Sequence, residues 1–167
     1  MPTACLSVRM RRPAADDSPF LRALYRSTRA TEVARFGWPD AVVDTFLDQQ
    51  HRAHEQHLAT AFPDAEHALV TVDDAPVGRI VLDVDAERVH VVDVALMPEH
   101  QGSGLGTALL GDTVARARAI GVPVQLMVRA ENHCARALYA RLGFVVLSDD
   151  GLDLLLSHDH APEVPHV

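Results

Sequence analysis

Gln101-Gly102-Ser103-Gly104-Leu105-Gly106 stands between an apolar run that reads as a strand, Val89 to Met97, and a helix-forming run, Leu105 to Ile120. A glycine-rich turn from strand to helix is an anion-binding device. Free backbone N–H groups and the positive end of the helix dipole converge there, and glycine lets a phosphate approach without meeting a Cβ. Pro98 leads in from the strand. Taken alone such a turn is weak evidence, because glycine-rich turns are common.

Its distance to a second block gives it weight. Beginning 26 residues after Gly106 the chain reads Asn132-His133-Cys134-Ala135-Arg136-Ala137-Leu138-Tyr139-Ala140-Arg141-Leu142-Gly143-Phe144. The first block fits Gln/Arg-x-x-Gly-x-Gly/Ala through Gln101, Gly104 and Gly106. The second fits Asn-x-x-Ala-x-x-Leu-Tyr-x-x-x-Gly-Phe without a gap, through Asn132, Ala135, Leu138, Tyr139, Gly143 and Phe144. Together the blocks resemble the GNAT superfamily of N-acetyltransferases. The resemblance is close from about Val89 to Leu147, and the amino-terminal part shares only the family's order of elements.

The rest of the chain supplies that order. Leu6 to Arg11 reads as a strand, and Asp17 or Ser18 caps a helix with Pro19 at its first position and Phe20, Leu21, Leu24, Tyr25 and Thr28 at helical spacing. A loop from Glu32 to Trp38 leads to a second helix, Asp40 to about Ala61, with Val43, Phe46, Leu47, Gln50 and Leu58 inward. Strands follow at His67 to Val72 and Val77 to Val84, joined through Asp73-Asp74-Ala75-Pro76, and then comes the strand into the glycine turn. After the helix that Gly121 and Pro123 end, Val124 to Val128 reads as a buried strand and Cys134 to Leu142 as a helix. Phe144 to Leu147 and Leu152 to Leu156 pair through Asp149-Asp150-Gly151.

Periodicity alone supports an α/β or α+β class. The resemblance implies the GNAT fold, a mixed central sheet of about seven strands flanked by about four helices, with the fourth and fifth strands splayed into a cofactor cleft. Such splaying needs a bulge, which no residue here marks. A single domain over residues 1–157 is expected, followed by a flexible tail over 158–167 that is rich in His, Asp and Pro and lacks periodicity.

Composition bounds the partners. A hydrophobic fraction of 48% with 23% charged residues is that of a soluble globule, and no apolar run approaches the ~20 residues that span a bilayer. The opening Met1 to Leu6 lacks a hydrophobic signal core, and Cys5 and Cys134 are too few for a disulfide framework, so a cytoplasmic location is expected. A net charge of −8 argues against nucleic acid, whose binding needs a basic surface, and tolerates a cationic or amine-bearing acceptor.

What the resemblance implies about chemistry falls on named residues. Acetyl-CoA is the expected cosubstrate, with no metal. Gln101 and the backbone amides of Gly102, Ser103, Gly104, Leu105, Gly106 and Thr107 would hold the pyrophosphate. The pantetheine arm would pair like an extra strand with Val94, Ala95 and Leu96, the N–H near Leu96 facing the thioester carbonyl, and Asn132 would hydrogen-bond the arm. Tyr139 is the candidate acid for the departing thiolate.

For the base, His90 shares a nominal strand face with Val92, Val94 and Leu96, and some family members place a Glu or His there. An unperturbed histidine titrates near 6.5, which suits the task. A second base position in the family, five residues before Asn132, holds Met127, which cannot titrate. Asp93 is the only acid between Val91 and Leu96; it calls for a buried partner, and alternation turns it away from His90.

His51, His54 and His57 fan over ~120° of helix surface and do not converge on a metal. His158, Asp159, His160 and His166 are adventitious ligands at most, and Cys134 at a helix start has no role in the family mechanism. Arg35, Phe36 and Trp38 fall where the family often builds its acceptor pocket, although packing explains both aromatics equally well.

The expected activity is acetyl transfer to a primary amine of a small molecule or peptide, by direct attack in a ternary complex; a homodimer is compatible with the family. The alternative is a non-catalytic acyl-CoA binding or sensing module on the same fold. A dinucleotide-binding reading fails because Gly102-x-Gly104-x-Gly106 is not Gly-x-Gly-x-x-Gly.

Overall fold

The computed structural model describes residues 8–159. Cys5, Leu6 and Ser7, and the tail from 160 to 167 with His160 and His166, lie outside the described residues. The elements are β1 (Val8–Arg11), α1 (Ser18–Ala34), α2 (Asp40–Ala61), β2 (Glu66–Val72), β3 (Ala75–Val84), β4 (Val89–Leu96), α3 (Leu105–Ile120), β5 (Val124–Arg129), α4 (His133–Arg141), β6 (Val145–Asp149) and β7 (Asp153–His158). Single 3-10 turns at Ala15–Asp17 and Pro98–His100 precede α1 and the glycine turn.

Hydrogen bonding orders the strands β1-β2-β3-β4-β5-β7-β6. β4 and β5 are parallel, whereas β1–β2, β5–β7 and β6–β7 are antiparallel, so the sheet is mixed. The parallel ladder covers Val89↔Val124, His90↔Gln125 and Val91↔Leu126, while β4 runs on to Leu96 and β5 to Arg129. Antiparallel neighbours need only a tight turn, but a parallel pair needs a crossover, which α3 supplies.

Among the described residues the chain forms two compact units, one of residues 8–81 together with Asp93–Gln101, the other of Leu82–Val92 together with residues 102–159. In the first, β1 pairs with β2 from Val8↔Val72 to Arg11↔Leu69. The β2–β3 turn is just Asp73 and Asp74, at φ of 50° and 68°, a conformation that Asp tolerates and that matches the twist of a hairpin. The strand therefore begins at Ala75, and Pro76 belongs to β3, not to the turn. Leu24, Val33, Leu47, Leu58, Leu69, Val70, Val77, Ile80 and Val81 form the core of this unit. α1 continues to Ala34, so the connection to α2 is shorter than the expected loop from Glu32 to Trp38. Asp17 stands at the cap position of α1 but does not cap it: its carboxylate takes two 2.7 Å bonds from Arg11 and one from the Ala14 N–H.

The second unit packs Leu109, Leu110 and Ala117 of α3, Val124, Leu126 and Val128 of β5, Leu154 and Leu156 of β7, and the aromatics Tyr139 and Phe144. Gly121, at φ 76°, ends α3, and the N–H of Val122 returns 3.1 Å to the Ala117 carbonyl, a left-handed stop that satisfies an orphan acceptor. A register shift between Val146 and Ser148 sets Leu147 outside the β6–β7 pairing. β7 extends through His158, the first residue of the expected tail, whose ring lies 5.4 Å from that of Phe144.

Candidate functional site

In the second unit, the glycine turn owes its shape to two left-handed residues, Gly102 at φ 71° and Gly104 at φ 87°. Only glycine adopts such angles without steric cost. Gly104 is the cap residue of α3 and offers no side chain, and the first ladder bond runs 3.0 Å from the Ala108 N–H to the Gly104 carbonyl. The amides of Leu105, Gly106 and Thr107 precede that first bond, so they fall among the donors a helix cannot satisfy within itself. Donors of this kind, beside the positive end of the helix dipole, fit a pyrophosphate. Gly106 is inside α3; its φ is not positive, so its place in the motif is not a matter of backbone angle.

α4 explains much of the second sequence block as helix-end chemistry. Asn132 is its cap, the side-chain oxygen accepting from the Ala135 N–H at 3.1 Å. The cap uses only the oxygen, so the exposed side-chain NH₂ keeps its donors for another group. Gly143, at φ 91°, is the left-handed residue past the other end, and the Phe144 N–H returns 3.0 Å to the Tyr139 carbonyl. That closure brings the Phe144 ring to 5.8 Å from the Tyr139 ring. Tyr139 is the buried residue of α4, only 7% exposed.

His90 is half-buried at the start of β4, opposite Gln125. Burial, reinforced by the Arg88 cation and opposed by Asp83 and Asp85, holds its imidazole below the ordinary value of 6.5. It is therefore neutral at neutral pH, the form that accepts a proton.

In the first unit lies the strand segment Asp93 to Leu96. Gly78 on β3 makes it possible for the two backbones to lie close: a Cβ there would stand 2.5 Å from the Ala95 carbonyl oxygen and 2.5 Å from Leu96 Cδ2. The Gln101 side chain donates 3.0 Å to the Leu96 carbonyl and so ties the entry of the turn to the end of β4.

Asp93 has the partner its burial demands, and the sequence had not identified it. Arg79 of β3, with a side chain only 5% exposed, donates from Nε at 3.1 Å and from Nη2 at 2.6 Å to Asp93 Oδ2, and from Nη1 at 2.6 Å to Glu55 of α2. His54 Nε2 approaches the same Oδ2 at 3.4 Å. Burial raises the Asp93 carboxyl, but the His54 bond and the Arg79 cation outweigh it and hold the group below the ordinary carboxylate value, so it stays ionised. The Tyr25 ring of α1 lies 5.4 Å from His51 and 5.3 Å from His54. His57 packs instead on Phe62 at 6.0 Å, so the three histidines of α2 serve different neighbours. The signal that could have found this cluster was an arginine on β3 one residue past a glycine, at a position where alternation calls for an apolar residue.

Of the residues with lesser claims, the Phe36 ring lies tilted against Trp38 at 4.8 Å and Trp38 meets Phe46 edge-on at 5.4 Å, while Phe36 and Trp38 remain over 40% exposed. Trp38 also lines a groove of about 680 Å³ between α1 and α2 with Ala23, Ala30 and Val43. Cys134 is a free, exposed thiol in the first turn of α4. Among the described residues no helix is long and apolar enough to cross a membrane.

A mixed sheet of this order, with the glycine turn and α3 crossing between the short parallel β4–β5 pair, is shared with acetyltransferases of known structure. The family model of the acetyltransferase (GNAT) family matches residues 21–144, and the chain belongs to that family of acyltransferase enzymes. Among solved structures it is similar to the PaiA N-acetyltransferase from Thermoplasma acidophilum in complex with coenzyme A, at 19% identity over 92% of this chain and 99% of that one, with a TM-score of 0.70. PH1933 from Pyrococcus horikoshii is similar at 17% identity, 93% and 100% coverage and a TM-score of 0.70. The ribosomal-protein-S18-alanine N-acetyltransferase from Escherichia coli is similar at 22% identity, 96% and 100% coverage and a TM-score of 0.60. At such identities the likeness speaks for the fold. No curated protein matches the chain.

Proposed function

We propose that this protein transfers the acetyl group of acetyl-CoA to a primary amine by direct attack in a ternary complex, without a metal or a covalent enzyme intermediate. The observation that carries the reading is the turn itself: two left-handed glycines deliver the chain into α3 with no side-chain cap, which leaves helix-start amides for a pyrophosphate. Gln101 fixes the entry to that turn, and the amides from Gly102 to Thr107 hold the phosphates. Val94, Ala95 and Leu96 present a strand edge to the pantetheine arm, and the Asn132 NH₂ donates to the arm while its oxygen caps α4.

When bound, acetyl-CoA supplies an activated acyl group with a thiolate as leaving group. The N–H near Leu96 donates to the thioester carbonyl as charge develops on its oxygen. Tyr139 donates its phenolic proton to the departing sulfur, and its burial against Phe144 fixes the ring for that task. For the proton of the amine, the strand pattern offers His90, whose imidazole is held below its ordinary value by burial, as one candidate acceptor. The acceptor is an amine on a small molecule or a peptide terminus, and the protein acts in the cytoplasm as one catalytic domain.

Release of thiol from acetyl-CoA across a broad amine panel tests the reading, with Tyr139→Phe as its internal control. The variant keeps the ring and removes the donor, so kcat should fall by the ~10² to 10⁴ typical of a lost acid while CoA affinity holds. CoA binding without thiol release on any amine would leave a binding module and end the catalytic reading.

A further inference from the structure

Beside the strand segment assigned to the thioester lies a cluster of titratable groups that the sequence-based mechanism does not use. Asp93 is the residue just before Val94, and it precedes Leu96 by three, ~10 Å of extended chain. His90 precedes Leu96 by six and sits within the stretch of β4 that is paired with β5. The His54 side chain is 28% exposed, so it reaches solvent.

The contacts around His54 set its tautomer. Asp93 is an ionised carboxylate and can only accept, so the ring nitrogen that faces it, Nε2 at 3.4 Å, is the one that carries hydrogen. Nδ1 then holds the lone pair. Tyr25 from α1 and His51 on α2 itself stand beside the ring, Asp93 from β4 meets Nε2, and behind that carboxylate lie Arg79 from β3, Glu55 of α2 and His67 of β2. Arg79 draws on both Asp93 and Glu55, which fixes the carboxylate in place and keeps it from taking the proton itself.

We infer that His54, oriented by Asp93, takes the proton from the attacking amine in this protein. The inference rests on the acetyl-transfer reading and moves the base from His90 to α2. In the step, the amine nitrogen forms the bond to the acetyl carbon, the carbon–sulfur bond breaks with its electron pair passing to sulfur, His54 Nδ1 receives one amine proton, and Tyr139 supplies one proton to the thiolate. Asp93 is a positioning residue that stabilises the imidazolium.

The test compares His54→Gln, His90→Gln and Asp93→Asn in the full chain, with spermidine, an alanyl peptide and lysine amide as acceptors and CoA affinity measured alongside. His54→Gln should lose 10²- to 10⁴-fold in kcat and the acidic limb of the pH–rate profile, with CoA affinity held, as expected for a missing base. His90→Gln should keep that limb. Asp93→Asn should lower kcat with KM and CoA affinity held, because the ring loses the acceptor that fixes its tautomer. His54→Ala should regain turnover with added imidazole, which a merely structural histidine would not show. An acidic limb intact in His54→Gln, or one lost in His90→Gln, overturns the inference and leaves acetyl transfer standing. If wild-type protein binds CoA yet acetylates none of the three amines, the inference falls with the catalytic reading it rests on.

Discussion

The glycine turn with α4 and the Arg79–Asp93 cluster are both built from polar groups at element ends or in the interior, yet they were unequally visible in the sequence. In the first, each motif residue answers a local backbone demand. Gly102, Gly104 and Gly143 take left-handed angles and Asn132 caps a helix, so spacing along the chain is the geometry. In the second, Arg79, Glu55, His54 and Asp93 come from three elements separated by as many as 39 positions, and no spacing rule links them. Local chemistry is written in sequence; a buried ion cluster is written in the fold.

The largest effect should come from the local region. Gly104→Val forces a β-branched residue to φ 87°, a strain of about 1–3 kcal/mol. No atom lies within 4 Å of where its Cβ would stand, so the fold has room. The variant should remain folded by circular dichroism and lose CoA binding by calorimetry. Wild-type CoA affinity in a folded Gly104→Val protein would detach the turn from the phosphates.

The buried cluster should answer in stability. Arg79→Met leaves Asp93 and Glu55 without their cation, and breaking a buried pair costs about 3–5 kcal/mol. The lower end applies, since the Asp93 and Glu55 side chains are 22% and 35% exposed. Urea unfolding reads this directly; a change below about 1 kcal/mol would reduce the cluster to a surface network.

The same contrast explains what was legible. Element order and nearly every boundary of α2, α3 and α4 followed from helical spacing and from Gly121 and Gly143 as stops. The β2–β3 connection was misplaced because Ala75-Pro76 looks like a turn, whereas two aspartates already complete it. Asp17 or Ser18 is the cap expected before Pro19, but Arg11 across the turn holds the Asp17 carboxylate in place of the helix. The burial of Asp93 implied a partner; its identity depended on which β3 residue lies beside it, a matter of sheet register.

Asn132 offers a finer cut. Asn132→Asp keeps the oxygen that caps α4 and removes the amide donors, so stability should hold while CoA affinity falls. Asn132→Ala should also lose about 1 kcal/mol of stability with the cap. Equal CoA affinity in both variants and wild type would make Asn132 a cap and nothing more.

The smallest effect concerns Asp17. Arg11, then the Ala14 N–H, hold its carboxyl at about 2 against an ordinary 3.8. A folded value below the unfolded one stabilises the protein above the ordinary carboxylate range, and the benefit is lost as pH falls toward about 2. Asp17→Asn should therefore flatten the decline of the urea midpoint across that window, and an unchanged slope would remove the Arg11 pair from acid stability.

Ligand-induced stabilisation tests the CoA reading most directly, since it requires no knowledge of the acceptor. A ligand that binds only the folded protein adds about 2.7 kcal/mol at a hundredfold excess over Kd, several degrees in Tm for a chain of this size. Acetyl-CoA and CoA should both give the shift, because the pyrophosphate and pantetheine contacts are common to them, while NAD and ATP, which lack the pantetheine arm, should do little. A shift with NAD and none with either CoA species would contradict the assignment of the turn, the strand edge and every functional residue placed on them.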